Sequence, residues 1–487
     1  MFKRLWLILF PVWLLAQPSL SLQECLNEAM KNNLSLQRKQ NAVDSARAFR
    51  NSVRAQFFPS IDFSGTYLRL NKQFSLFEND VLMPIVPYMV IDQQTGKVDP
   101  SKFNDPLIAA TYLVIDPQTM KPVTDKDGNP IFRNYAWLPA DKAKLGVKDN
   151  YLLQFSLKQP VFLGGKIWYG YKIARQLENI YALQKEATEE NIMTDIIEKY
   201  MQIVVTWQRI KVIQQYKQMI SKIMEDLNNY KQEGVVTELE VQQVKTHYNE
   251  VILNELQASQ GLVMLRMFLN QKMGRPLASF WIPKDTAFTL PEVTLDTAKL
   301  LNDAMSSRVE LKMLDEKIKL SSYQQRMTYG DMLPQIGFLA NYLIMKPSPF
   351  QGFKNVFDND YQLGVSITIP LVHAGDKWYK AKMANIAAQN DVLMKQEAEA
   401  WIKLDVMNKY FAYTEALQKI VLATEKLKQQ ELNLKQKTDL FNEGMIKSTD
   451  ILQAQSDWFN AEVDKLDAIS SAWVAYYQLL KASGKLK

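Results

Sequence analysis

The chain has 487 residues, with 58 Lys and Arg against 52 Asp and Glu and a single cysteine. Its net charge of +6 is too small and too dispersed for a nucleic-acid surface, and one cysteine excludes an intrachain disulfide. Gly and Pro are sparse and stand at breaks, which suits long helices.

At the N-terminus, Lys3-Arg4 precedes the apolar run Leu5 to Ala16, which Pro11 interrupts and which is too short to span a bilayer. This is the charged and apolar pattern of a secretory signal, so residues 1–16 are expected to be removed after Ala16. Cys25 is either a lipid-attachment residue or a plain helix residue. Leu22-Gln23-Glu24 lacks the small residues that lipid processing expects, which favours the helix. No later segment offers the ~18 consecutive apolar residues of a transmembrane helix. An exported chain of this kind is either soluble or enters a membrane as strands.

Ser21 to Phe57 reads as one helix of about ten turns, with Leu22, Leu26, Ala29-Met30, Leu34, Leu36, Val43 and Ala46 on its buried side. Proline stops it at Phe58-Pro59. Ile61, Phe63, Gly65 and Tyr67 then alternate with Asp62, Ser64 and Thr66, a period of two that predicts a strand over 60–70. Its partner, over 150–160, alternates Leu153, Phe155 and Leu157 with Gln154, Ser156 and Lys158. Between them the long loop 71–149 is full of proline, and Tyr88-Met89-Val90-Ile91-Asp92 is echoed by Tyr112-Leu113-Val114-Ile115-Asp116, predicting two related strand-turn units. The loop is either a decorative subdomain or a recognition surface.

After Pro160 and the turn Leu163-Gly164-Gly165, a helix is predicted to run to about Asn229, roughly 95 Å, and Glu238 to Met273 returns along it. Gly274-Arg275-Pro276 through Pro291 crosses outside the helical wall to a second half. There, Thr294 to Leu333 repeats the first helix, strands are predicted at about 335–344 and 361–370, and a long helix runs from Asp376 to about Asn442. Thr449 to Ser483 returns. Adding 210 carries Pro160 onto Pro370, Gly165 onto Gly375, Trp168-Tyr169 onto Trp378-Tyr379, Glu233-Gly234 onto Glu443-Gly444 and Gly274 onto Gly484. Adding 275 carries Ala29-Met30 onto Ala304-Met305, Pro59 onto Pro334, Phe63 onto Phe338 and Tyr67 onto Tyr342. The chain therefore reads as a tandem duplication of helix, strand, strand, helix, helix, with halves 17–290 and 291–487. The fold class is mainly α with β-strands that either enter a membrane, as mainly α with membrane β, or pack in a soluble sandwich.

Each strand is close to the ~9–11 residues that cross a bilayer when tilted, although a strand in a soluble sandwich would look the same. Four strands do not close a transmembrane barrel, and the smallest barrels use about eight. Strands in a membrane therefore require oligomerisation, and three copies give twelve. Helices this long are stable only in a bundle or coiled coil.

Taken together, these residues resemble the TolC-type outer-membrane efflux family over essentially the whole mature chain. The resemblance rests on the duplication, on Phe58-Pro59-Ser60-Ile61 and Leu333-Pro334-Gln335-Ile336, on the Pro-x-x-x-x-Gly turns, and on Glu443-Gly444 with Ser448-Thr449-Asp450-Ile451-Leu452-Gln453-Ala454. It implies a homotrimer with a 12-stranded barrel among outer-membrane lipid, continuous with a long periplasmic α-helical barrel. The implied function is a passive exit duct of a tripartite efflux or type I secretion system. Its implied partners are a periplasmic adaptor (membrane fusion) protein and an inner-membrane pump of RND, ABC or MFS type.

The duct would be gated by hairpin tips at Tyr230 to Glu240 and Phe441 to Asp450. By the resemblance, Asp450 lines the periplasmic aperture, and Gln453 replaces a second acid common there. As a plain sequence feature, Asp450 is equally a first-turn acid favoured by the helix dipole. Members with a closing ion pair have an acid at the place of Glu240, but their arginine position is Ile446 here, with Lys447 beside it. Phe441 replaces their tyrosine. Gly234, Val235 and Thr237, with Gly444, Met445 and Lys447, would meet the adaptor, and as turn residues they would look no different.

An enzyme is disfavoured: His247 and His373 are the only histidines, and there is no paired ligand spacing, phosphate loop or nucleophile motif. No cofactor or metal is expected. The remaining alternative is a periplasmic trimeric coiled-coil scaffold or adhesin. It accounts for the helices but has no use for four bilayer-length alternating strands.

Overall fold

The computed structural model describes residues 18–145, 147–285, 296–372 and 374–486. The segment 1–16 expected to be a secretory signal, His373 and the stretch 286–295 lie outside the described residues. The chain divides into a helical unit, made of residues up to Ala55, Gly164–Leu333 and Pro370 onward, and a strand unit of Gln56–Leu163 and Pro334–Ile369.

In the helical unit, Ser21 opens α1 (Leu22–Asn32) with a reciprocal cap. Its hydroxyl accepts the Glu24 N–H at 3.2 Å and its own N–H donates to the Glu24 carboxylate at 2.7 Å. The single ten-turn helix expected over Ser21 to Phe57 is instead two. Asn33 leaves helical geometry with ψ 122°, and α2 (Leu34–Ala55) starts afresh. Leu34, expected on the buried side, is 73% exposed at the start of the new helix, while Leu26, Ala29, Leu36, Val43 and Ala46 are buried as expected.

The long helix α3 (Lys166–Gln232) and its return α4 (Glu238–Met273) follow. The second series again has a broken pair, α5 (Thr297–Ser307) and α6 (Val309–Tyr329), and then α7 (Asp376–Asn442) and α8 (Ser448–Ala482). Both long helices contain 67 residues.

Packing places α3 between α2 and α4 on one side and α6 and α8 on the other, with α7 beyond α6 and α8. The wall thus has one edge formed by α2 and α4 and another formed by α7. Its central core gathers Ile196, Tyr200, Ile203, Leu269 and Trp281, all essentially inaccessible. The crossover between halves takes part in it: Trp281 stacks on Tyr200 with ring centroids 6.3 Å apart, and Ile282–Pro283 pairs parallel with Ser19–Leu20. Cys25 lies in this core, fully buried, and burial pushes its thiol up to about 12.

The strand unit contains β1 (Ser60–Arg69), β2 (Asp149–Leu163), β3 (Gln335–Lys346) and β4 (Asp358–Thr368). They form one antiparallel sheet in the order β4-β3-β2-β1, so the two halves meet through β2 and β3. The insertion between β1 and β2 has its own small core of Val90, Phe103, Ala109 and Leu113. Its two echoed segments are not strands: Tyr88–Val90 is a 3-10 turn, and Tyr112 ends a helix begun at Pro106. The echo lies in the turns that follow. The Asp92 carboxylate accepts the Gln94 N–H and that of Asp116 accepts the Gln118 N–H, while Gly96 and Met120 stand at φ +65° and +56°. The Gln94 N–H holds the Asp92 carboxyl below its usual range, and the Thr119 hydroxyl, donating at 2.7 Å, does so with the Gln118 N–H for Asp116.

Candidate functional site

Two surfaces of the chain invite a partner. The first is the pair of hairpin tips of the helical unit. α3 ends at Glu233, Gly234 takes φ +76°, and the N–H groups of Gly234 and Val235 donate back to the carbonyls of Lys231 and Tyr230. At the other tip Gly444 takes φ +74°, and Gly444 and Met445 donate to Phe441 and Leu440. This left-handed stop satisfies carbonyls that a helix end would otherwise orphan. In both turns an added Cβ would meet nothing within 4 Å, so the glycines serve backbone conformation alone. One residue on, Val235 and Met445 project into solvent, 71% and 68% exposed.

Both return helices start with an acid at the third position that accepts the N–H of the cap residue, and the first adds the reciprocal bond. Thr237 accepts the Glu240 N–H at 3.4 Å, and the Glu240 carboxylate accepts the Thr237 N–H at 3.0 Å. Asp450 accepts the Lys447 N–H at 3.3 Å. Glu240 and Asp450 are thus third-position acids of their helices, engaged by backbone donors. Asp450 is exposed, as is Gln453, whose amide donates to Asp457 at 2.9 Å. Lys231 straps the first tip by bonding Glu238, and this bond holds the Glu238 carboxyl below its usual range.

The structure brings the two tips together. Leu227, Val241 and Val244 share a buried cluster with Phe441, Ile451 and Leu452. A cavity of about 380 Å³ lies between the turns, with Tyr230, Val236, Glu240, Phe441 and Ile446 among its walls. Phe441 is buried in it as an apolar wedge. The Lys231 strap was not legible in the sequence, since a Lys and a Glu seven positions apart meet only because the chain reverses between them.

The second surface is the sheet. In register, Phe63, Phe155, Tyr342 and Tyr361 form one row across all four strands, and the Phe63 and Phe155 rings lie 4.8 Å apart. Flanking rows add Ile61, Leu157, Ala340 and Leu363, and Gly65, Leu153 and Ile344. The opposite face carries Asp62, Ser156, Asn341 and Gln362 in one row and Ser64, Gln154, Leu343 and Asp360 in the next, polar but for Leu343. The apolar face lies in the open: Ile61 is 71%, Phe63 61% and Val365 66% exposed.

The helical wall has apolar edges too. Along α7, Tyr379, Met383, Ile386, Leu393, Trp401, Leu404 and Phe411 are exposed at spacings of three, four, seven and eight, the pattern of a coiled-coil seam. Along α4, Ile252, Leu256, Val263 and Met264 are exposed. Among the described residues no helix is long and apolar enough to cross a membrane, and no three of His, Cys, Asp and Glu are grouped to hold a metal ion.

Residues 300–485 match the family model described as outer membrane efflux protein. No curated protein matches the chain. Among solved structures, the chain is similar to the outer membrane protein VceC of Vibrio cholerae at 15% identity, with a TM-score of 0.68 over 95% of this chain and 96% of that one. It is similar to the CmeC outer membrane channel of Campylobacter jejuni at 15% identity, with a TM-score of 0.71 over 96% and 86%. For the open-state MtrE outer membrane channel of Neisseria gonorrhoeae the figures are 14%, 0.69, 96% and 89%. At such identities these likenesses establish the fold.

Proposed function

We propose that this chain, whose residues 300–485 match the outer membrane efflux protein family, is the outer-membrane duct of a tripartite efflux or type I secretion system. The observation that carries the reading is the sheet, with an apolar face in the open, a polar face behind it and two unpaired edge strands. In water such a face and such edges invite aggregation. In a bilayer the apolar face meets hydrocarbon, provided the edges are paired.

Neighbouring copies supply the pairing. With four strands all antiparallel, β4 runs opposite to β1, so the β1 of the next copy adds to β4 antiparallel and the head-to-tail contact closes into a ring. Three copies give a barrel of 12 strands, within the range of such barrels. The apolar edges on α7 and α4 support the same ring, because each offers the other a seam to bury. The alternative of a periplasmic scaffold leaves the sheet's apolar face without a use.

On this reading the tips close the periplasmic end. Asp450 and Gln453, with Glu240, line the aperture, where a ring of Asp450 carboxylates would favour cations. Val235, Thr237, Met445 and Lys447, on turns made by Gly234 and Gly444, meet a periplasmic adaptor that links the duct to an inner-membrane pump of RND, ABC or MFS type. Glu240 faces no arginine latch, and its carboxylate is held by its own helix cap. A passive duct of this kind takes the energy of transport from the pump.

Fractionation tests the membrane reading: the protein should require detergent for release and run as a trimer, whereas release by osmotic shock as a monomer overturns it. Gly444→Pro tests the tips. Export should be lost with trimers intact, and wild-type export from that variant removes the tip assignment.

A further inference from the structure

The strand unit carries an open hollow of about 660 Å³, within the usual size of a small-molecule site. It lies at the strand ends that carry the loops, between the end of β1, the start of β2, and β3 with its following loop. Its walls are chiefly Leu68, Leu70, Leu152, Met345, Pro349 and Phe353. The register fixes which face it belongs to. Thr66, Leu152 and Met345 stand in one row, on the side of the sheet that elsewhere presents Asp62, Ser64, Gln154, Asn341 and Gln362. The polar face thus ends in an apolar hollow.

The walls are built rather than slack. The Asn150 amide donates to the carbonyls of Val147 and Lys148, both at 3.2 Å, fixing the loop that enters β2. Ser348, fully buried, bonds the Asp358 carboxylate and accepts the Gln351 N–H at 3.2 Å, and its own N–H donates to the Lys354 carbonyl at 3.0 Å. These bonds hold the loop after β3 so that Phe353 lines the hollow at φ +59°. A bulky residue in that left-handed region is strained, and the surrounding bonds must sustain it. Lys346, which also lines the hollow, has its ammonium over the rings of Tyr151 and Phe357 at 5.8 and 5.2 Å, where their faces attract it.

We propose that this hollow binds a small uncharged apolar molecule, one with an aromatic or hydrocarbon body, on the conduit side of the sheet. The placement rests on the duct reading, in which the helix-joined strand ends face the periplasm and the loop-joined ends face outside. The site is then a final station for apolar cargo at the outer mouth. A polar wall passes water and ions without holding an apolar solute, whereas a preformed apolar hollow retains one by removing its surface from water.

The full chain with Met345→Cys, reconstituted in lipid vesicles, tests this, because the native Cys25 is buried and leaves the new thiol as the reactive one. Alkylation by a small water-soluble reagent is followed with and without N-phenyl-1-naphthylamine. The probe should slow it roughly tenfold at a free concentration about ten times its Kd. A cysteine at Gln362, on the polar face outside the hollow, should show no protection, and adding Leu152→Trp to Met345→Cys should abolish it. Equal protection at both cysteines, or a thiol at 345 that is unreactive even without probe because a neighbouring copy fills the hollow, overturns the proposal. Bilayer conductance of the same preparation separates the two readings. Conductance without protection sinks the site alone, and protection without conductance sinks the duct while leaving the site.

Discussion

The side-chain amide of Asn33 donates to the main-chain carbonyl of Lys272 at 2.9 Å, tying the break between α1 and α2 to the last turn of α4. Its carbonyl oxygen meanwhile accepts the N–H groups of Ser35 at 2.9 Å and Leu36 at 3.3 Å, capping α2. One buried side chain therefore ends a helix, starts another and holds a third. The same device recurs with a different residue: Arg308, between α5 and α6, donates to the carbonyl of Ala482 at 3.3 Å.

Asn33→Asp keeps the cap and loses the donor, whereas Asn33→Ala loses both. A lost cap costs about 1 kcal/mol and an orphaned buried carbonyl about 1–3 kcal/mol. Hydrogen exchange should accelerate at Met273 and Gly274 in both variants, but at Ser35 and Leu36 only in the alanine variant. Acceleration at all four amides in both would mean that the two roles are not separable.

Four glycines at φ between +70° and +76° end helices or hairpin tips, yet they should not respond alike to alanine. At Gly234 and Gly444 the new methyl meets open space, so only the left-handed penalty applies, about 1–2 kcal/mol. At Gly274 it would lie 3.0 Å from the Asn32 Cβ, and at Gly484 2.8 Å from the Ser307 Cβ. Gly274→Ala and Gly484→Ala should therefore lower the yield of folded protein well below that of the tip variants in parallel expression. Equal yields would show that the helix ends can retreat.

Much of this geometry was legible because prolines and glycines punctuate it. Pro59 and Pro334 do precede strands, period-two alternation does mark β1 to β4, and Gly234 and Gly444 do turn the chain. The break at Asn33 was not legible, since Leu26, Ala29, Leu36 and Val43 keep a helical rhythm across it and the residue that disrupts them acts through Lys272, 239 positions away. The pairing of β2 with β3 was hidden for a related reason, being set by how two halves assemble rather than by any turn between them. The seam on α7 was hidden because that helix is also apolar on its inner face, at Ile402, Val406 and Tyr413, so no single stripe stands out.

The Cys25 thiol gives a prediction in pH. Burial pushes it up to about 12, so at pH 8 the folded protein carries almost no thiolate there, and the thiolate is the reactive form. Iodoacetamide should leave the native protein unmodified at pH 8 and label it once denatured. Rapid labelling of the native protein would show that α1 opens. A lipid on Cys25 would block labelling in both states and would require the removal of Ser21, Glu24 and the strand Ser19–Leu20 from their places.

The first tip should loosen in acid. The bond from Lys231 holds the Glu238 carboxyl below its ordinary value of 4.5, so the unfolded or opened tip binds the proton more tightly than the closed one. The strap is then fully present above pH 4.5 and is lost as pH falls through the lower, folded value. Proteolysis or exchange within Tyr230 to Glu240 should rise over that window in the wild type but stay flat in Glu238→Gln. A wild-type tip with no pH response there would remove the strap.

The sheet makes the sharpest prediction, because neighbouring positions on one strand should answer oppositely. Phe63 belongs to the apolar row and Ser64 to the polar face. If the apolar face meets lipid, Phe63→Lys places an ammonium in hydrocarbon at a cost of about 2–4 kcal/mol near the bilayer midplane, and assembly into the membrane should fall steeply. Ser64→Lys, one residue away, adds the same charge to a wall that already carries Asp62 and Gln154, and it should assemble normally while shifting the duct's selectivity towards anions. The pair Val365→Lys and Ser366→Lys repeats the contrast on the opposite edge strand. In a soluble sandwich the sensitive face would still be the apolar one, but its variants would fail in buffer as well as in membranes. Equal assembly of the two lysine variants at either pair would mean that the register seen here does not govern how the sheet meets its surroundings.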